Sequence, residues 1–304
     1  MRDRAVVVPA EYAATHREVF GEGRWLTDLP ALAQRQLAAW DLRVEGAPRH
    51  GMVALVLPVR RADGSAAVLK LQPVTSDTVS EPVGLRAWDG AGAVRLLDHD
   101  PDSGSMLLER LGPAALSSVD DDDAAVRVIA ELLARLHTVA APPGVRHLAE
   151  IAAAMVHETP QACGRLADDQ AGLLRRCADV VAELLSEPGE RLLHWDLHYD
   201  NVLAGGREPW LAIDPQPLIG DPGFELLPAL DNRWEQMVAT GDLPAALRRR
   251  FAILTDVLGL DRQRAVGWSL GRVLQNCLWE VEDGATELSD VQTSIAETLL
   301  PLGP

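Results

Sequence analysis

The sequence predicts an α+β chain of two lobes, a small β-rich lobe over residues 1–110 and a larger, mainly helical lobe over residues 111–304. Three observations predict it. Short apolar runs of strand character, "MVALVLPVR", "SAAVLKLQ" and "SMLLERL", dominate the first third. Long segments with apolar residues at helical spacing dominate the remainder. Between the two lies "ERLGP", Glu109 to Pro113, whose glycine and proline read as a hinge.

Each element has a local cause. "RADG" between the first two runs ends in Asp63-Gly64, a turn signal that makes them a hairpin. The acidic run Asp120 to Asp123 stands where carboxylates suit the positive end of a helix dipole, so it starts a helix over Asp121–Val139. Further helices are expected over Leu148–Val156, Ala171–Leu185, Pro228–Ala239, Pro244–Leu258 and Arg264–Val281. Two short apolar runs, "RLLHWD" and "PWLAID", interrupt them as strands.

Charge narrows the partners. Against 28 basic side chains stand 45 acidic ones, a net charge of −17, which repels nucleic acid and anionic membrane surfaces and attracts cations. Cys163, Cys177 and Cys277 are odd in number and widely spaced, which fits a reducing compartment better than a disulfide frame. The apolar run near the N-terminus is broken by Pro9 and Glu11, and no run approaches membrane-spanning length, so a cytoplasmic protein is expected.

The chemistry concentrates in "LLHWDLHYDN". His194, Asp196 and Asn201 form HxDxxxxN after an apolar run, and "WLAIDP" ends a second run in Asp214. One aspartate suits the orientation and deprotonation of an attacking hydroxyl. The asparagine and the second aspartate are hard oxygen ligands suited to Mg²⁺ on nucleotide phosphates. Upstream, "AAVLKLQ" places Lys70 inside an apolar strand, where it needs either a phosphate or a route to solvent.

With "LVLPVRRADG", "MLLERL", "LLHWDLHYDNVLA", "EPWLAIDPQPLIGDPGFEL" and "VLQNCLWEVEDG", these motifs resemble the aminoglycoside phosphotransferase family, which has a protein-kinase-like fold. Within it the likeness is greatest to the streptomycin 6-phosphotransferase and hydroxyurea-kinase group. The resemblance implies an ATP- and Mg²⁺-dependent kinase with Asp196 as catalytic base and Asn201 and Asp214 as metal ligands. It implies Lys70 on the phosphates and hinge backbone around Glu109 and Leu111 on the adenine. His194 and Asp221 would brace the catalytic loop.

Three departures stand out. The phosphate-covering segment "EGAPRHGMV" lacks GxGxxG and offers Gly46 and Gly51, of which Gly51 is the candidate contact. The lysine's acidic partner is Glu81 or Asp77, because Pro82 biases Glu81 away from helical geometry. Proline follows Asp214 where protein kinases carry phenylalanine, holding that aspartate extended, and the short run to "GDPGFEL" leaves no room for a regulatory loop.

A cationic antibiotic such as streptomycin suits an acidic chain acting as a monomer or weak homodimer, with Asp231, Glu235 and Glu280 as candidate contacts and Trp234 and Trp279 available to stack on guanidinium planes. Three other readings compete. One is a kinase of another small hydroxyl compound such as hydroxyurea. The second is a metallohydrolase built on the HxDxH of His194, Asp196 and His198. The third is an inert kinase-like scaffold, which would have no need of Lys70, Asp196, Asn201 and Asp214 together.

Overall fold

The structure, a computed structural model, describes residues 6–21 and 23–303, without the side chain of Val19. The chain divides after Gly112 into two compact units.

The first unit begins with two helices that the strand reading of this region overlooks, α1 (Ala10–Phe20) and α2 (Trp25–Ala39). Leu29, Leu32 and Ala33 of α2 are buried at helical spacing. Strands follow: β1 (Arg43–Val44), β2 (Arg49–His50), β3 (Leu55–Arg60) and β4 (Ala66–Leu71). The inward residues of β3 (Leu55, Leu57, Val59) and β4 (Ala67, Leu69, Leu71) join those of α2 in one core. The expected hairpin is present, paired Arg60 to Ala66, and Gly64 takes φ +83° in its turn. Helix α3 (Glu81–Trp88) and strands β5 (Leu96–Asp100) and β6 (Ser105–Glu109) complete the unit, with sheet order β1-β3-β4-β6-β5 and β2 beside β3. Glu81 opens α3 despite its proline neighbour. Pro82 falls in the first turn, where the missing N–H would have had no helical partner.

The second unit opens with α4 (Asp122–Leu136), whose Ala124 N–H donates to the side chain of the cap residue Asp121 at 3.1 Å. After it come β7 (Arg146–His147), α5 (Leu148–Cys163), α6 (Asp168–Leu184), β8 (Arg191–Leu193), β9 (Val202–Ala204), β10 (Trp210–Ala212) and β11 (Leu218–Gly220). Strands β9 and β10 form a hairpin, while β11 lies between β7, parallel, and β8, antiparallel. The chain ends in helices α7 (Leu227–Asp231), α8 (Trp234–Val238), α9 (Leu243–Leu258), α10 (Arg262–Glu282) and α11 (Asp290–Leu299). Helix α10 is the central post, buried from Ala265 to Gln275 and packed on α5, α6 and α11. All three cysteines are buried and free.

The single helix expected over residues 228–239 is two. Arg233 at φ +55° breaks it, a conformation that apolar periodicity does not register. Among the described residues no helix is long and apolar enough to cross a membrane.

Gly189, ahead of β8, holds φ +83°, and a Cβ there would stand 2.5 Å from the backbone nitrogen of Asp221. Gly189→Ala is expected to lower the unfolding midpoint by several degrees, following a strain of about 1–3 kcal/mol. A thermal melt unchanged from wild type would contradict this packing of the 189 turn on β11.

Candidate active site

Strand β8 delivers the chain into a turn that must point several polar groups one way. Trp195 in that turn has φ +66°, a strained conformation for a large side chain. One buried carboxylate holds it. Glu225, fully buried, accepts from the backbone N–H of His194 at 2.8 Å and of Trp195 at 2.9 Å, and its other oxygen meets Nε2 of His137. Asp221, expected in this bracing role, instead accepts from Gly223 N–H at 2.8 Å and Arg264 Nε at 2.6 Å, capping the helical turn that carries Glu225. The brace is therefore Glu225. It lay unremarked in "GDPGFEL", and its signal was a carboxylate inside the apolar run "GFELLPAL".

His194 is buried and its Nε2 lies 3.0 Å from the Ile213 carbonyl. A carbonyl only accepts, so Nε2 carries the proton. Burial brings this imidazole down to about 4, leaving it neutral at physiological pH. That bond ties the 194 turn to the strand end before Asp214. Ile213 N–H to Asn201 O at 2.9 Å and Gln216 N–H to His194 O at 3.0 Å tie the same two segments. Asp214 itself has φ +54° rather than the extended backbone expected before proline. Aspartate tolerates positive φ better than most residues, and the two cross-bonds on either side fix the turn.

Asn201 Nδ2 donates to the Asp196 carbonyl at 2.9 Å. This fixes the orientation of the amide and leaves Oδ1 as an acceptor that could hold a cation. With the Asp214 carboxylate it makes a hard-oxygen donor pair suited to Mg²⁺, an ion that takes few protein ligands and completes its shell with phosphate and water. Among the described residues no three His, Cys, Asp or Glu side chains gather into a metal cage.

Asp196 opens into a cavity of about 260 Å³ lined by His198, Leu227, Pro228, Asp231, Arg272 and Asn276, among others. Burial pushes the Asp196 carboxyl upward; His198 and Arg272 pull it back, and Asp214 adds to the rise. Asp231 is pushed up to about 6, again chiefly by burial. Arg272, on the same cavity wall, is nine-tenths buried, brought down to about 10 by desolvation and attracted by both acids. Its guanidinium is 5.5 Å from the Trp195 ring and 5.1 Å from the Trp279 ring, and Nη1 donates to Gln275 and Asn276 at 2.7 and 2.8 Å. Trp279, expected to stack on a guanidinium of the substrate, stacks on one belonging to the protein.

The cavity wall is set by Arg250. Its Nε and Nη2 clasp Asp122 at 2.7 Å each, and Nη1 reaches the carbonyls of Ala229, Leu230 and Asn232 at the end of α7. Tyr199 of the catalytic loop donates to the same Asp122 at 3.2 Å. Of the expected substrate contacts, Asp231 alone reaches the cavity. Glu235 is exposed on α8, and Glu280 accepts from Ser289 N–H and Oγ at 3.0 and 2.7 Å, anchoring the start of α11.

In the first unit, Lys70 and Glu81 are both buried and paired at 2.7 Å, and Gln72 donates to the same carboxylate at 2.7 Å. Glu81 is thus the lysine's partner, and Asp77 is exposed in the preceding loop. Gly51 opens the β2–β3 turn, its N–H bonded to Ala54 O at 3.1 Å. Glu109 ends β6 with its N–H on the Arg95 carbonyl at 3.0 Å, and Leu111 follows in the connecting strand-free segment.

Glu225→Gln removes the charge that strengthens the two backbone bonds and puts a donor amide in place of one of the two carboxylate oxygens that bind the backbone N–H groups and His137. It should cost about 1–3 kcal/mol of stability and, by loosening the 194–196 turn, lower turnover about 10- to 100-fold. Denaturant unfolding and steady-state kinetics read the two effects; wild-type turnover in this variant would show that the brace is dispensable.

Residues 39–284 match the family described as aminoglycoside/hydroxyurea antibiotic resistance kinase. A streptomycin 6-kinase of Streptomyces griseus is 56% identical over 296 residues, 96% of each chain. A hydroxyurea phosphotransferase of Kitasatospora aureofaciens is 53% identical over 97% of this chain and 86% of its own. In fold, the chain is similar to a choline/ethanolamine kinase family protein from Mesorhizobium loti at TM-score 0.59 and 16% identity, covering 89% of this chain and 92% of the other. The protein-kinase-like architecture and its match over most of the length place the chain in the aminoglycoside/hydroxyurea antibiotic resistance kinase family.

Proposed function

We propose that this chain transfers the γ-phosphoryl group of ATP to a hydroxyl of a cationic aminoglycoside, streptomycin at its 6-hydroxyl. The first unit binds nucleotide and the second binds metal and acceptor. The observation that carries the reading is Asp196 in the wall of a cavity whose other polar groups are His198, Asp231, Asn232, Arg272 and Asn276, groups suited to a hydroxyl-rich ring. The acceptor itself is inferred from the streptomycin 6-kinase similarity over 96% of each chain.

In this reading Asp196 accepts the proton of the attacking hydroxyl while the hydroxyl oxygen bonds to phosphorus and the bond from phosphorus to the β,γ-bridging oxygen breaks, leaving ADP. Asn201 and Asp214 would hold Mg²⁺, which when bound would offset charge on the nucleotide phosphates. Lys70, oriented by Glu81, contacts the phosphates; Gly51 lies over them, and backbone near Glu109 and Leu111 takes the adenine. His194, through its bond to Ile213 O, keeps the Asp196 and Asp214 turns in register. Asp231 meets the acceptor. The net charge of −17 draws a polycation toward the protein at low salt. Catalysis comes from positioning and fixed charge.

Hydroxyurea is the second acceptor to consider, favoured by the Kitasatospora aureofaciens relative. ADP release with Mg·ATP across streptomycin, other aminoglycosides and hydroxyurea separates the two. Activity with streptomycin at least tenfold above the rest is expected, and activity with hydroxyurea alone would replace the reading. Asp196→Asn should cut turnover about 10²- to 10⁴-fold while nucleotide still binds, and Asp214→Ala should weaken Mg·ATP binding as well. Near-normal turnover in Asp196→Asn would remove its role as base.

A further inference from the structure

The β2–β3 turn over residues 51–54 has no glycine-rich sequence, and Met52 at its tip is 63% exposed. A short turn of ordinary residues that must offer backbone amides to phosphates needs an external hold, since ordering it on binding would cost affinity. The structure supplies one. The carbonyl of Val53 accepts from the Tyr12 hydroxyl at 2.8 Å, and that hydroxyl accepts from Trp25 Nε1 at 2.9 Å. Tyr12, on α1, is fully buried, and its ring packs on His50, the last residue before the turn, at 5.7 Å between centroids. Tyr12 and Trp25 both precede residue 39, where the family match begins.

We propose that Tyr12 is a positioning residue for nucleotide binding, latching the Val53 carbonyl so that the 51–54 turn is already set for the phosphates. The latch comes from two helices outside the matched family region, and the inference rests on the reading that this turn covers the nucleotide. Trp25 completes it by holding the hydroxyl in the orientation that donates to Val53.

The test uses the full chain. Tyr12→Phe removes one oxygen and should raise both the KM for ATP and the Kd for ADP about 2- to 10-fold, the worth of one hydrogen bond, with the acceptor KM unchanged. Trp25→Phe should shift the same two constants less, and it serves if Tyr12→Phe does not fold. Gly51→Val tests the underlying reading separately. A Cβ at 51 meets nothing within 4 Å in the protein, so the first added atom finds open space in the fold and lost nucleotide affinity reads as obstruction of something bound there. Loss of nucleotide affinity in Gly51→Val with Tyr12→Phe silent would overturn the latch alone. Silence in both would overturn the placement of the nucleotide beneath this turn. Equal rises in nucleotide and acceptor KM in Tyr12→Phe would reduce Tyr12 to a general structural part and also overturn the proposal.

Discussion

A single buried carboxylate, Glu225, is the constraint on which the second unit's chemistry depends. It takes two consecutive backbone N–H groups from a turn whose tryptophan is held at positive φ, and it meets His137 of α4 on its other side. Two charge-assisted bonds to backbone are enough to offset a strain of about 1–3 kcal/mol at Trp195. Without them the turn would relax, and Asp196, one residue on, would swing with it. His194 passes the constraint to the second aspartate through the Ile213 carbonyl.

The acceptor side follows from a helix that breaks. If residues 228–239 ran on as one helix, the carbonyls at the end of α7 would be consumed within it. The break at Arg233 frees them for Arg250, whose other arm grips the Asp122 that Tyr199 also touches. Catalytic loop and cavity wall thus share one anchor. Arg272 then sets the balance of charge inside, attracting both Asp231 and Asp196, two acids that alone would repel each other. A strongly acidic protein therefore keeps a cation in this cavity.

Much of this was legible from residues alone. The hairpin around Asp63-Gly64, the aspartate-capped α4 and the Lys70 strand followed from turn chemistry, helix electrostatics and alternation. The HxDxxxxN turn and Asp214 stand out as candidates because oxygen ligands at strand ends have few other uses. Glu225 and Arg272 are lone charges in apolar stretches, and Arg250 closes the run Arg248–Arg250, which reads as a solvated face; only their burial marks them as charges that need a partner. Other features lay beyond pattern. Positive φ at Trp195, Asp214 and Arg233 arises from tertiary hydrogen bonds that no local sequence encodes. The first two helices were hidden by a lobe reading that expected strands there. Glu280 looked like a substrate contact only because its bond to Ser289 joins residues from two different helices.

The most direct measurement is a crystal structure of the protein with Mg²⁺ and a non-hydrolysable ATP analogue. The account predicts Asn201 Oδ1 and the Asp214 carboxylate on one Mg²⁺ that also takes phosphate oxygens, with the Asp196 carboxylate free of the metal and facing the cavity beside Asp231. A metal held instead by His198 and Asp196, or a nucleotide that touches neither Asn201 nor Asp214, would contradict it.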